Sequence, residues 1–195
     1  YGDEAIYLTI GNALRHGQDM YAQIVDHKTP FIYYFAMVPS QFWFRILMTG
    51  WMIATTSFFY GLAKKTFRPK LAFLSSLIFI FLSSWTSLEG NIPNGELFVM
   101  GFILAGMYLF SHTTFWSNFF KQEHKKIVSR DYQLSFWAGL VSAGGILTKV
   151  PGLFDVAALG TILIWLFGLG LLAQIFKFSG RTPKIKDSLM GGLAM

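Results

Sequence analysis

Long uncharged apolar runs alternate with short polar segments along most of the chain. Five runs approach the roughly 20 apolar residues that an α-helix needs to cross a membrane. They lack the period-2 alternation of transmembrane barrel strands. The predicted spans are 46–63, 71–88, 97–116 (in an apolar run that continues to 120), 132–148 and 156–176. The pattern therefore predicts an all-α fold, a polytopic transmembrane helical bundle. Glycines within the spans favour close helix packing in lipid: Gly139, Gly144, Gly145, Gly168 and Gly170.

One apolar stretch fits this pattern poorly. Residues 31–44 would form a helix of only about 21 Å, Pro39 interrupts it, and Arg45 follows it. We expect this stretch to lie at the membrane surface or to enter half of the bilayer. The chain starts without Met and stops in a new apolar run, so we expect residues 1–195 to be part of one transmembrane domain that is incomplete at both ends.

Residues 1–30 are predicted to form an external loop with two short amphipathic helices on the membrane surface. Asp3 precedes a stripe of apolar residues at helical spacing, and Gly17 follows this stripe as a typical residue after a helix end. A second helix would start at Asp19. It would end before Pro30, because the residue that precedes a proline avoids the α conformation.

The composition agrees with a membrane protein. The 195 residues are 53% hydrophobic and 13% charged, with a mean hydropathy of +0.47, whereas a soluble domain has about 25% charged residues. These values exclude a disordered chain, a nucleic-acid-binding module and an ordinary water-soluble enzyme. The chain has no cysteine, so it has no disulfide framework and no thiolate chemistry.

The charged residues predict the orientation of the spans. When the spans alternate in direction, three basic clusters fall on one face, which should be cytoplasmic. These clusters are Lys64, Lys65, Arg68 and Lys70; Lys121, Lys125, Lys126 and Arg130; and Lys177, Arg181, Lys184 and Lys186. The opposite face receives Asp3, Glu4, Asp19, Asp26, Glu89, Glu96 and Asp155. We therefore expect any chemistry on the extracytoplasmic face of a plasma or inner membrane.

Two segments on the predicted outer face carry a recognisable pattern. The first reads DEAIY at 3–7, RHGQDMY at 15–21 and DHKTP at 26–30, followed by Tyr33. The second reads LEGNIPNGEL at 88–97. Together they resemble the first and second external loops of glycosyltransferase family 39, which includes the protein mannosyltransferases and the lipid A aminoarabinose transferase.

The resemblance implies a fold and an activity. Members of this family have the C-type glycosyltransferase fold and transfer a sugar, with inversion, from a polyprenyl-phosphate donor to an acceptor hydroxyl. The implied partners are that donor, membrane lipids and an acceptor protein, lipid or glycan, without nucleic acid. No cofactor is implied, and a divalent metal stays open.

Two residues receive the main roles by this resemblance. Asp3 corresponds to the loop aspartate that acts as general base on the acceptor hydroxyl, although an aspartate before a helix also serves as an N-cap. Lys28, in the K-x-P motif, would contact the donor phosphate, and its alternative role is that of a snorkelling lysine. Lys149 is a further donor-phosphate candidate because it is a charged residue at the outer end of a span, with an interfacial pair to Asp155 as the alternative.

The remaining candidates would bind substrate hydroxyls: Glu4, Tyr7, Asp26, His27, Glu89, Asn91, Asn94 and Glu96. Structural roles are open for several of them. Glu4 suits the first turn of a helix, Asn94 precedes a glycine in a common turn pair, and Tyr7 suits an interfacial aromatic belt. His16 and His27 lack metal-ligand spacing, so no metal site is predicted.

Two functions from other classes compete with the enzyme. A transporter or flippase would place ionisable groups near the middle of the membrane and often has internal repeats, but the acidic residues here lie in the outer loops. A non-catalytic membrane subunit would need Asp3 for stability alone.

Overall fold

The computed structural model describes residues 2–120, 125–158 and 160–161. Its regular elements in these ranges are helical: α1 (Gly2–Arg15), α2 (Phe31–Phe35), α3 (Gln41–Thr66), α4 (Pro69–Ser83), a 3-10 turn (Thr86–Leu88), α5 (Gly95–Phe110), α6 (Thr114–Phe120) and α7 (Ser129–Thr148). No strand occurs in the described ranges, where a bridge between Met20 and Ile24 is isolated. The predicted all-α class is confirmed. The chain divides into the units Tyr1–Val156 and Ala157–Met195, and all the named helices belong to the first.

The amphipathic pattern near the start of the chain produces α1. Its buried residues are Glu4, Tyr7, Ile10 and Gly11, a spacing that forms one stripe along a helix. The helix is followed by Gly17 with a φ of +83°, which suits a residue just beyond a helix end. The first of the two helices predicted for residues 1–30 is therefore present.

The second predicted helix of this region does not form. Residues 19–24 form turns, in which the amide of Tyr21 donates to the carbonyl of Ile24 at 2.7 Å. The amides of Gln23 and Ile24 both donate to the carbonyl of Asp19. The Gln23 bond has the spacing of an α-helix, but the forward bond of the Tyr21 amide and the left-handed backbone of Tyr21, with a φ of +67°, stop the turn from continuing as a helix.

The bounds of the helices differ from those of the apolar runs. The predicted spans 46–63 and 132–148 lie within α3 and α7. The span 71–88 ends early, because α4 stops at Ser83 and a separate 3-10 turn follows. The apolar run from 97 is split into α5 and α6. Most of the span 156–176 lies outside the described residues.

By length and apolar composition, one helix of the described part could cross a membrane, and it is α3. The apolar helices α4 and α5, with 15 and 16 residues, are about 22–24 Å long, which is less than the hydrocarbon thickness of about 30 Å. The stretch 31–44 is not one helix, since α2 ends at Phe35 and α3 begins at Gln41.

The contacts between helices fix their directions. Helices α3 and α5 run parallel, because Trp51 contacts Phe102 and the Lys65 ammonium donates to the Ser111 carbonyl at the far end. Helices α5 and α7 run antiparallel. At one end of this pair Glu96 meets Lys149, and at the other end Thr114 donates to the buried Asp131 carboxylate.

Small residues allow α5 and α7 to approach closely. A Cβ on Gly106 would collide with Ser142 Oγ and would lie 2.8 Å from the carbonyl oxygen of Ala138, and one on Gly144 would lie 2.7 Å from the Phe102 ring. The prediction of close packing is thus confirmed for Gly144. It is wrong for Gly139, which faces open space. Gly168 and Gly170 lie outside the described residues.

An apolar core joins α1 and α2 to the N-terminal halves of α3 and α5. It consists of Tyr7, Ile10, Ile32, Tyr33, Ala36, Phe44, Met48, Leu97 and Phe98. Phe35 stacks on Phe98 with ring centroids 4.8 Å apart. This core carries the first loop and holds it against the start of α5.

Candidate functional site

The candidate site begins on the first two turns of α1. Asp3 and Tyr7 lie one turn apart, and the Tyr7 hydroxyl donates to the Asp3 carboxylate at 3.1 Å. Tyr7 is fully buried, whereas the Asp3 side chain is 42% exposed. Asp3 is the second residue of α1, so it lies within the helix and does not precede it as an N-cap would.

Lys28 meets this pair from the far end of the loop. Its ammonium lies 2.9 Å from the Asp3 carboxylate and 3.3 Å from the Tyr7 hydroxyl. The Lys28 side chain is only 13% exposed, so its charge is poorly hydrated. The fold therefore brings together the two residues that the sequence assigned the main roles, Asp3 and Lys28.

Asp26 is held two residues before Lys28. Its carboxylate accepts hydrogen bonds from the Tyr33 hydroxyl and from the backbone amide of His27. Tyr33 is fully buried and contacts the Tyr7 ring edge-on, at 6.0 Å between centroids. The His27 side chain is 87% exposed, and its ring nitrogen lies 2.8 Å from Asp26.

Glu96 and Lys149 form a second ion pair near the first. Glu96 lies in the first turn of α5, and Lys149 caps the end of α7. A Cβ on Gly95 would lie 2.9 Å from the Lys149 side chain, so the glycine gives that chain room. Lys149 pairs with Glu96 here; Asp155 was the partner considered from the sequence.

The two ion pairs and the burial of the site shift the pKa values of its ionisable residues. The hydrogen bond from Lys28 is the main factor that lowers the pKa of Asp3, and the charge of Lys149 adds a small part. Burial, followed by the neighbouring Asp3 charge, raises the pKa of Tyr7. Burial acts to raise the pKa of Asp26, but the opposing contributions, led by the hydrogen bonds from Tyr33 and His27, lower its net pKa. Asp3 is therefore ionised and Tyr7 is neutral near pH 7.

Glu4 occupies a different place from the one that a substrate-binding role requires. It is 2% exposed and pairs with Arg45 at 2.9 and 3.0 Å, and Gln41 donates to it at 3.0 Å. These bonds tie α1 to the first turns of α3. The sequence did contain a signal for this pair, since Glu4 lies on the buried stripe of α1 and Arg45 is an isolated charge within apolar sequence.

The second loop contributes less to the site than predicted. Asn94 is the N-cap of α5, and its side chain accepts from the Leu97 amide at 3.0 Å. Asn91 and Glu89 are exposed, and Glu89 has a left-handed backbone with a φ of +56°. Among the described residues, these three take no part in the hydrogen bonds of Asp3, Tyr7, Asp26 and Lys28, which we call the Asp3 cluster.

Within the described ranges, no three side chains of His, Cys, Asp or Glu group together in a way that could hold a metal ion. Comparisons with known proteins add no further assignment, because no family model, no curated protein and no solved structure matches this chain.

Proposed function

We propose that this chain is part of a multi-spanning membrane protein. Its outward surfaces favour this proposal, since only 17% of the most apolar part of α3 is buried, whereas the core helix of a soluble protein is mostly buried. Apolar residues are exposed along α4: Leu71, Phe73, Leu74, Leu77, Ile78, Ile80, Phe81 and Leu82. Exposed apolar areas of this extent are typical of membrane or interaction surfaces.

The distribution of charge supports the orientation proposed for the bundle. The end of α3 and the start of α4 carry Lys64, Lys65, Arg68 and Lys70. The Asp3 cluster and the Glu96–Lys149 pair lie at the opposite end of α5. By the positive-inside rule the basic end is cytoplasmic, and the candidate site is then extracytoplasmic.

We propose further that the site transfers a sugar from a polyprenyl-phosphate donor to an acceptor hydroxyl. The observation that carries this proposal is the ion pair between Asp3 and Lys28 at 2.9 Å. It places a carboxylate, which can accept a proton, beside a poorly hydrated cation, which can stabilise a phosphate. The reaction needs both groups within a few ångströms of one anomeric carbon.

In the proposed step, the acceptor oxygen forms a bond to the anomeric carbon as its proton passes to the Asp3 carboxylate. The bond between that carbon and the phosphate oxygen breaks, and its electron pair stays on the phosphate. Lys28 stabilises the additional negative charge. When Lys28 turns from Asp3 to the phosphate, Asp3 loses its main hydrogen-bond donor, so its pKa rises toward its ordinary value of 3.8 and it becomes a stronger base.

The test follows transfer from radiolabelled polyprenyl-phosphate sugars by the intact protein in liposomes. We expect Asp3→Asn to lower the turnover about 10²- to 10⁴-fold, the usual contribution of a general base. We expect Lys28→Gln to lower it about 10²- to 10³-fold, as for a group that stabilises developing charge. Both variants should still unfold cooperatively, with Asp3→Asn at a lower temperature than the wild type, because it leaves the 13%-exposed Lys28 charge without its carboxylate partner.

The matched controls are Asp155→Asn and Lys70→Gln, which change exposed residues elsewhere and should transfer at the wild-type rate. Full activity of Asp3→Asn would show that Asp3 is not the base. Absence of transfer by the wild-type protein with every donor would refute the enzyme and favour a transporter or a non-catalytic subunit.

A further inference from the structure

Tyr21 has a backbone conformation that is uncommon for its residue type. Its φ is +67°, in the left-handed region that glycine and asparagine adopt most readily. Tyr21 is 53% exposed, so burial gives little compensation for this conformation. Such outliers persist where surrounding contacts enforce them, and they are concentrated at functional sites.

The contacts of Tyr21 lead to Lys28. Its amide donates to the Ile24 carbonyl at 2.7 Å, which closes the turn. Its hydroxyl donates to the backbone carbonyl of Lys28 at 3.0 Å. The ammonium of the same lysine pairs with Asp3.

The backbone around Lys28 is therefore held on two sides. Tyr33 holds the Asp26 carboxylate from α2, and Tyr21 holds the Lys28 carbonyl from the turn. A lysine side chain has several rotatable bonds and loses considerable rotamer entropy when it is fixed. A fixed backbone restricts the positions that the ammonium can reach, so it lowers this entropy loss when the ammonium binds a ligand.

We propose that Tyr21 is a positioning residue for Lys28, acting through the hydrogen bond from its hydroxyl to the Lys28 carbonyl. This inference rests on the proposed function, because it assigns Lys28 to the donor phosphate. The hydroxyl of Tyr21 is the group that holds Lys28, since the exposed ring adds little packing. The left-handed backbone directs that hydroxyl from the turn to the carbonyl.

The experiment measures kcat and KM for the polyprenyl-phosphate sugar with the intact protein in liposomes. It compares the wild type, Tyr21→Phe, Lys28→Gln and the double variant. Tyr34→Phe is the matched control, because Tyr34 is 54% exposed on α2, close to the exposure of Tyr21. We expect Tyr21→Phe to lower kcat/KM about fivefold, the usual effect of one hydrogen bond, and Tyr34→Phe to leave it unchanged.

The double variant separates positioning from general stability. If Tyr21 acts through Lys28, then Tyr21→Phe has no further effect once Lys28 is Gln. A fivefold loss in both backgrounds would overturn the inference, and so would unchanged kcat/KM in Tyr21→Phe while the wild type is active. No transfer by the wild type would overturn the proposed function together with this inference, so the two failures are distinguishable.

Discussion

Replacing either partner of the ion pair between Glu4 and Arg45 should lower the stability of the protein, but by different amounts. The Glu4 side chain is 2% exposed, whereas the Arg45 side chain is 48% exposed. Arg45→Met leaves a carboxylate buried with its Gln41 hydrogen bond but without the guanidinium. Glu4→Gln leaves a guanidinium that water already reaches. The two variants break the same pair, but we expect the first to cost more.

The magnitudes follow from which charge stays buried. Breaking a buried pair so that one charge is left uncompensated costs about 3–5 kcal/mol, and we expect Arg45→Met to lower the free energy of unfolding by this amount. Loss of hydrogen bonds to a charged group costs about 1.5–3 kcal/mol. Because Arg45 is half-exposed, we expect Glu4→Gln to cost about 1–2 kcal/mol, below most of that range.

The stability that this ion pair contributes should decrease in acid. Arg45 is the main factor that lowers the pKa of Glu4 in the folded protein below its ordinary value of 4.5. The pair therefore stabilises the folded state above pH 4.5, and this contribution is lost as the pH falls through the folded-state pKa. The difference in stability between the wild type and Arg45→Met should accordingly shrink in acid.

The assay is reversible unfolding in detergent micelles, followed by circular dichroism at several pH values. Arg15→Met is the control, since Arg15 is an exposed arginine at the other end of α1 and should change stability by less than about 0.5 kcal/mol. If Glu4→Gln cost as much as Arg45→Met, or more, the argument from the unequal burial of the two partners would be wrong.

Two further predictions concern packing and orientation. Gly106→Ala should lower the free energy of unfolding by about 1–3 kcal/mol through overpacking, since its Cβ would lie 2.8 Å from the Ala138 carbonyl oxygen. Gly139→Ala, in open space, should be neutral or stabilise by up to about 1 kcal/mol, and equal effects measured by detergent unfolding would refute this packing. Because the chain has no cysteine, single cysteines report topology. An impermeant maleimide added outside should label Asn91→Cys and spare Lys70→Cys, and the reverse labelling would refute the proposed orientation.

The sequence predicted the helices with a strong apolar pattern, but it did not predict where several of them end. The absence of charge extended the predicted span past Phe110, yet the helix stops where Ser111, Thr113 and Thr114 bind backbone or Asp131 through their hydroxyls. Polar side chains that bond to nearby backbone compete with a helix. A prediction based on the absence of charged residues does not detect this competition.

The candidate site was predictable in part. The order of Asp3, Tyr7, Asp26 and Lys28 along one loop could be read from the sequence, and the fold brings these residues together. The place of Tyr21 could not be predicted. Its hydrogen bond to Lys28 depends on a left-handed backbone, and an aromatic residue does not signal that conformation.

Helix α5 contributes to both ends of the bundle. Its first turn supplies Glu96 to the Lys149 pair, and the Lys65 ammonium donates to the Ser111 carbonyl just after its last residue. A helix of 16 residues is a stiff rod of about 24 Å, so an axial displacement at one end is transmitted to the other. The basic end of the bundle, which the proposed orientation places in the cytoplasm, is therefore mechanically linked through α5 to the Glu96–Lys149 pair at the opposite end.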